Sequence, residues 1–206
     1  MTNIRILFGP LGAVLLALGI AVLGSMVPGY SQIHQTVSEI GEVGSPVQLS
    51  FTVLLCTVAI CIVVFAWGLR DIAVTTGRSA LAALFVALMA ISAAGVGIFS
   101  FPHPLHNVFG ISELVGYQAP LVLALSWRRD PRARAVVGVS WLFTLLVWVA
   151  IVLNLSSLDR SGALWASMKP VYGVVQRSLF AAWFGWCAVT GLMLHRASPK
   201  PALRPA

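Results

Sequence analysis

The sequence predicts an all-α polytopic membrane protein, a six-transmembrane-helix bundle with a short amphipathic helix in its first outer loop. Three observations carry that prediction. Of 206 residues, 59% are hydrophobic and 9% charged, with a mean hydropathy of +0.93, whereas soluble domains hold about a quarter charged residues. Six apolar stretches approach the length of about 20 residues that a bilayer-crossing helix needs. Basic residues gather on alternate connections between those stretches, the pattern expected of topology signals.

Charge and cysteine content narrow the class further. Thirteen Lys and Arg against six Asp and Glu give +7, but most of the basic residues sit in short connections beside oily spans, which argues against nucleic acid as a partner. Cys56 and Cys61 are five positions apart on one predicted helix, about 140° around its axis, and cannot readily pair. Cys187 lies in another span, so all three read as small apolar packers.

Span one, Ile6 to Val27, follows MTNIR. Its run of about 22 apolar residues has no A-x-A site after it, so it is expected to stay as a span and not to be removed as a signal peptide. The others run from Val47 to Leu69, Ala80 to Phe101, Val108 to Trp127, Ala135 to Leu155 and Val171 to Leu194. Pro46, Pro102, Pro131 and Pro170 fall in or beside connections, where a missing N–H costs least. Together they define one membrane domain over residues 1–196, followed by a Pro-rich, polar and disordered cytoplasmic tail over residues 197–206.

Orientation follows from the connections. Arg5, Arg70, Arg78, Arg128, Arg129, Arg132, Arg134, Arg196, Lys200 and Arg204 lie on one side, against Arg160 and Lys169 on the other. The positive-inside rule places both termini in the cytoplasm, in the plasma (cytoplasmic) membrane, with loops one, three and five outward. Trp127 and Trp165, near span ends, fit interfacial anchoring.

In the first outer loop, Ile33, Val37, Ile40 and Val43 recur at helical spacing while Gln35, Glu39 and Glu42 take another side. Ser31 can cap the start and Gly41 or Gly44 the end, which predicts an amphipathic helix lying on the outer membrane surface. Span three is rich in small residues (Ala93, Ala94, Gly95, Gly97), which permits close helix approach and suggests a central position. In span four, Pro120 leaves the Gly116 carbonyl without its helical donor and predicts a kink. Span six opens with Tyr172, Gly173, Gln176 and Arg177. Ser38-Glu39-Ile40 echoes Ser112-Glu113-Leu114, but no alignment of spans brings the two together, so no internal repeat is read.

A Pro-Gly-Tyr-Ser after span one, Gln35 to Gly41 (QTVSEIG) with Gly44-Ser45-Pro46, Phe101-Pro102 closing span three and His106-Asn107 opening span four together carry a family resemblance. They resemble the bacterial and archaeal membrane proteins catalogued as domain of unknown function 998. The resemblance implies a multi-helix membrane domain, commonly of six spans, with no established activity and no catalytic residues to transfer. In many relatives a longer polar insert separates the Phe-Pro from the His-Asn; here only His103, Pro104 and Leu105 do.

The candidate site is built on the stretch from Pro102 to Gln118. His106, Gly110, Glu113 and Tyr117 follow at 4, 3 and 4, so they share one face of a helix in an otherwise apolar span. Such a face is costly in lipid and is expected to point inward. His106 and Glu113 are the candidate acid–base residues; His34, Ser38, Glu39, His103, Asn107, Tyr117, Gln176 and Arg177 are candidate ligand-binding residues. Glu113 and Arg177 lie at similar depth and are expected to pair or share a network. His103, His106 and Glu113 with His34 could supply zinc ligands, but no H-E-x-x-H or cysteine ligand accompanies them, and no metal or cofactor is assigned. A hydrolytic set of Ser38, His106 and Glu113 is conceivable, although Ser38 lacks a nucleophile elbow.

Four readings stay open. In the structural one, His106 and Asn107 brace the start of span four while Glu113 and Arg177 lock two helices. In the second, the chain is a non-enzymatic binding or membrane scaffold protein, in which a pocket open to the outer leaflet, lined by Phe99, Phe109, Trp141 and Phe180 with Arg177 as anchor, binds membrane lipid or a small amphiphilic ligand. The third is a membrane-embedded enzyme of hydrolase or acid–base type. The fourth, a small transporter, ranks last because no line of ionisable residues reaches the cytoplasmic half.

Overall fold

The fold is known from a computed structural model that describes residues 4–197. It is helical, with no strand among the described residues. Six helical segments, Ile4–Ser25, Gln48–Thr75, Leu81–Ile98, Pro104–Trp127, Pro131–Leu158 and Ala163–Ala197, are long and apolar enough to cross a membrane. The predicted disordered tail lies outside the described residues apart from Ala197, which ends the last helix. Large apolar side chains such as Leu18, Ile60, Ile91, Ile111 and Leu145 stand more than half exposed on successive helices. An aqueous surface of that kind would aggregate, whereas lipid tails accept it.

Within these segments the α-helices are α1 (Phe8–Ser25), α2 (Gln48–Thr75), α3 (Leu81–Ile98), α4 (Pro104–Gly116), α5 (Ala119–Trp127), α6 (Arg134–Asn154), α7 (Ala163–Met168) and α8 (Tyr172–Ala197). Chain neighbours pack in order from α1 to α4, α5 packs on α3 and α6, and α8 closes the ring against α6 and α1. Span three is thus one member of a ring and not its centre. Its small residues still act as expected, because Gly95 receives the Phe109 ring and Gly97 receives Leu55, each at a spacing that no Cβ could share.

The interior is filled from α8. Trp183 and Trp186 are fully buried, 6.2 Å apart between ring centroids, with Phe65 edge-on to Trp186 at 6.4 Å. Indole N–H groups buried this way need acceptors, and both find them. Trp186 donates to the Ser140 hydroxyl at 2.9 Å, tying α8 to α6. Trp183 donates to the Gly116 carbonyl at 3.0 Å. This is the carbonyl that Pro120 orphans, and the helix breaks there, α4 ending at Gly116 and α5 beginning at Ala119.

Trp127 corrects the interfacial expectation. Only 1% exposed, it donates to the Ser79 carbonyl at 2.9 Å and lies under the Arg78 guanidinium, 4.9 Å from its ring centroid. Arg78 also reaches Asp130 at 2.6 Å, so one buried indole and one ion pair fasten the α2–α3 connection to the α5–α6 connection.

The first loop departs from the predicted amphipathic helix. Turns lead into a five-residue 3-10 helix, Val37–Gly41. Of the apolar stripe, Val37 and Ile40 are buried in the end of the bundle, whereas Ile33 and Val43 are exposed. Thr36 and Glu39 form a capping box, Glu39 accepting from the Thr36 N–H at 2.9 Å, so the helix starts five residues later than a Ser31 cap implies.

Two predictions follow from these contacts. Trp183→Phe should lower stability by about 1–3 kcal/mol, the cost of a buried unpaired carbonyl, in a denaturant titration of micellar protein. In a Pro120→Ala background, which restores a backbone donor near Gly116, the same substitution should cost less. Asp130 supplies the second. The Arg132 amide, at 2.8 Å, and then the Arg78 guanidinium hold its carboxyl below the usual carboxylate range. A carboxylate with a lower pKa folded than unfolded stabilises the fold above the unfolded value of about 3.9, and that contribution is lost as pH falls through the folded value. The melting temperature should therefore drop in that acidic window, and Asp130→Asn should remove part of the drop.

Candidate functional site

The bundle end that carries loop one collects most of the predicted polar residues, in two groups on separate helices. The first centres on α4. Phe99–His103 turns the chain from α3 into α4, and His103 caps the new helix, its Nδ1 accepting from the Leu105 N–H at 3.1 Å. One turn on, His106 is 6% exposed and spans two partners. Its Nδ1 lies 2.8 Å from the Phe99 carbonyl and its Nε2 lies 3.0 Å from the Ser38 hydroxyl. The Phe101 ring meets the imidazole edge-on at 5.9 Å.

Glu113 shares the predicted helix face but not the site. It accepts from the Tyr117 hydroxyl at 3.1 Å, and Tyr117 is buried edge-on to Trp183. The Ser38, His106, Glu113 set is therefore half realised: serine and histidine meet, and a backbone carbonyl takes the place expected of the carboxylate. Asn107 is exposed. Among the described residues no three His, Cys, Asp or Glu side chains gather as metal ligands, since His103 caps α4, His106 faces Ser38 and His34 donates to the Pro170 carbonyl.

The second group joins loop one to the start of α8. The loop presses so closely that a Cβ on Gly173 would lie 2.5 to 2.8 Å from the carbonyl oxygens of Gln35, Gln32 and Ile33, which only glycine permits. Gln176 accepts from the Val37 N–H at 2.7 Å. Arg177 donates to the Gln35 carbonyl at 3.0 Å, to the Gly173 carbonyl at 2.9 Å and to the Tyr30 hydroxyl, with the Tyr30 ring 5.8 Å from its guanidinium carbon. Glu39 is occupied by its capping box and by Gln35 Nε2 at 2.8 Å. Burial raises the Tyr30 phenol pKa above its ordinary value, and the Arg177 hydrogen bond only partly offsets this.

The expected Glu113–Arg177 pair does not form. Among the described residues Arg177 has no carboxylate within ion-pair distance, and its Nε is buried without a partner. Arg177 instead borders a cleft of about 400 Å³ between α1 and α8, whose lining includes Ala17, Ala21, Gln32, Phe180 and Ala181. The expected pocket wall is only partly present. Phe180 lines the cleft, but Phe99 and Phe109 stack on each other at 5.6 Å and Trp141 is 44% exposed. Tyr30, Gln32 and Gln35 were missed as site residues. Tyr30 and Gln35 lie within the two loop-one motifs that carry the family resemblance, which was the available signal.

These features define a helical membrane protein with most of the predicted site residues gathered at the bundle end that carries loop one. The chain belongs to the family described as protein of unknown function (DUF998), whose model matches residues 10–193. No curated protein and no solved structure shows a significant match.

The separation of Glu113 from Arg177 can be measured. A double-mutant cycle of Glu113→Gln and Arg177→Gln, read by unfolding in micelles, should give a coupling below about 0.5 kcal/mol, the additivity range of non-contacting sites.

Proposed function

We propose that this chain is a six-span protein of the cytoplasmic membrane, with termini inside and loop one outside, and that it binds an anionic amphiphile in the α1–α8 cleft. The observation that carries the ligand is Arg177: a cation with a buried, unpartnered Nε and, among the described residues, no carboxylate within ion-pair distance, at the rim of an apolar cleft. Ten basic residues in the connections of one side against two on the other support the orientation. Arg177 is the remaining one of thirteen and the only one inside a span as read from hydropathy.

The chemistry matches a carboxylate or phosphate head with a hydrocarbon tail. A guanidinium recognises both oxyanions through paired N–H donors. From Arg177 to Gly185 the lining of α8 spans roughly 12 Å at 1.5 Å per residue. The alanines of α1 and α8 leave that length of slot unfilled by side chains, so an acyl chain entering from the outer leaflet can lie along it.

The test is native mass spectrometry of protein purified in mild detergent and reloaded with either a fatty acid or an acidic phospholipid. One bound anionic amphiphile is expected, and which arm loads decides between carboxylate and phosphate. Ala17→Leu with Ala181→Leu, which fills the cleft and leaves the arginine untouched, should abolish loading. Arg177→Gln should weaken it about tenfold or more, the worth of a charged hydrogen bond. Unchanged loading of the cleft-filled variant, or equal loading by a neutral lipid, overturns the proposal.

A further inference from the structure

His106 and Ser38 do not line the α1–α8 cleft, and amphiphile binding there leaves them unexplained. A carbonyl oxygen can only accept, so the 2.8 Å contact to Phe99 requires the proton of the neutral imidazole to sit on Nδ1. The lone pair of Nε2 is then directed at the Ser38 hydroxyl 3.0 Å away, and the serine must be the donor. That is the tautomer and the direction that a serine nucleophile with a histidine base requires.

Each half of the pair is held separately. His106 is buried in the first turns of α4 between the Phe99 carbonyl and the Phe101 ring. Ser38 lies on the 3-10 helix, whose start is fixed by the Thr36–Glu39 capping box and by Gln176 on the Val37 N–H. Ser38 itself is only partly buried, at the loop-one end of the bundle.

We infer that Ser38 is a nucleophile activated by His106, and that it cleaves the carboxylic ester of an amphiphile whose ester bond lies at headgroup depth. Ser38 Oγ forms a bond to the acyl carbon while its proton passes to His106 Nε2. The Phe99 carbonyl, on Nδ1–H, steadies the imidazolium. The C–O bond to the alcohol breaks, and the alcohol leaves with the proton from Nε2. Water then bonds to the acyl carbon, giving one proton to Nε2; the acyl carbon–Oγ bond breaks, the carboxylic acid departs, and Nε2 returns that proton to Ser38 Oγ. A neutral carbonyl supports the imidazolium less than a carboxylate does, so the reaction is slow and shows best with an activated reagent.

The test uses the full chain in micelles with a long-chain alkyl fluorophosphonate, whose P–F bond breaks as the Ser38 Oγ–P bond forms. Intact-mass and peptide analysis should find one adduct, on Ser38, in folded protein and none in heat-unfolded protein. Ser38→Ala should abolish the adduct, and His106→Gln should slow it about 100-fold or more, the contribution of a general base. The folded-against-unfolded comparison needs no variant, so it stands even if His106→Gln misfolds. Absence of an adduct on Ser38 in the folded chain, or equal labelling after unfolding, overturns the inference.

Discussion

The interior of a bilayer supplies no hydrogen bonds, and most of what is distinctive here follows from that. A backbone group that loses its helical partner inside the bilayer must be met by another part of the same chain. Pro120 removes one backbone donor, and the nearest remedy is not in its own helix but on α8, where the Trp183 indole reaches the Gly116 carbonyl. That bond ties the middle of α8 to the end of α4 across the ring. The same rule places Trp186 on Ser140 and Trp127 on the Ser79 carbonyl, so three indoles act as fasteners between non-consecutive elements.

Loop one is the element on which both polar groups rely. Its 3-10 helix offers Ser38 to α4 and the Val37 N–H to α8, while the preceding carbonyls cover Gly173 and Arg177. Neither group is assembled by helix packing alone. The close approach at Gly173 lets the loop sit low enough to touch both helices at once.

Sequence reading succeeded where covalent structure or hydropathy dictates the outcome and failed where a neutral backbone atom does. The spans follow from apolar length, and the break at Gly116 follows from the proline ring. Periodicity put Glu113 on the face of His106, yet the imidazole turned to the Phe99 carbonyl, an acceptor that no residue identity advertises. Arg177 was matched to Glu113 by depth, whereas two carbonyls and a phenol surround it. In loop one the T-V-S-E run from Thr36 to Glu39 was a readable capping box. The apolar recurrence from Ile33 to Val43 at 4, 3 and 3 points instead to a longer and more superficial helix than the one that forms.

The guanidinium of Arg177 is shared between the rim of a cleft and the underside of a loop. An anion that draws it outward competes with the Gln35 carbonyl and the Tyr30 hydroxyl, and the two equilibria are then thermodynamically linked. Occupancy of the cleft changes how tightly loop one is held, and by reciprocity anything that grips loop one changes affinity in the cleft. Because the same loop carries Ser38, the spacing between serine and imidazole becomes sensitive to what lies between α1 and α8. In the proposed reading, one side chain thus links whatever occupies the α1–α8 cleft to the seating of loop one.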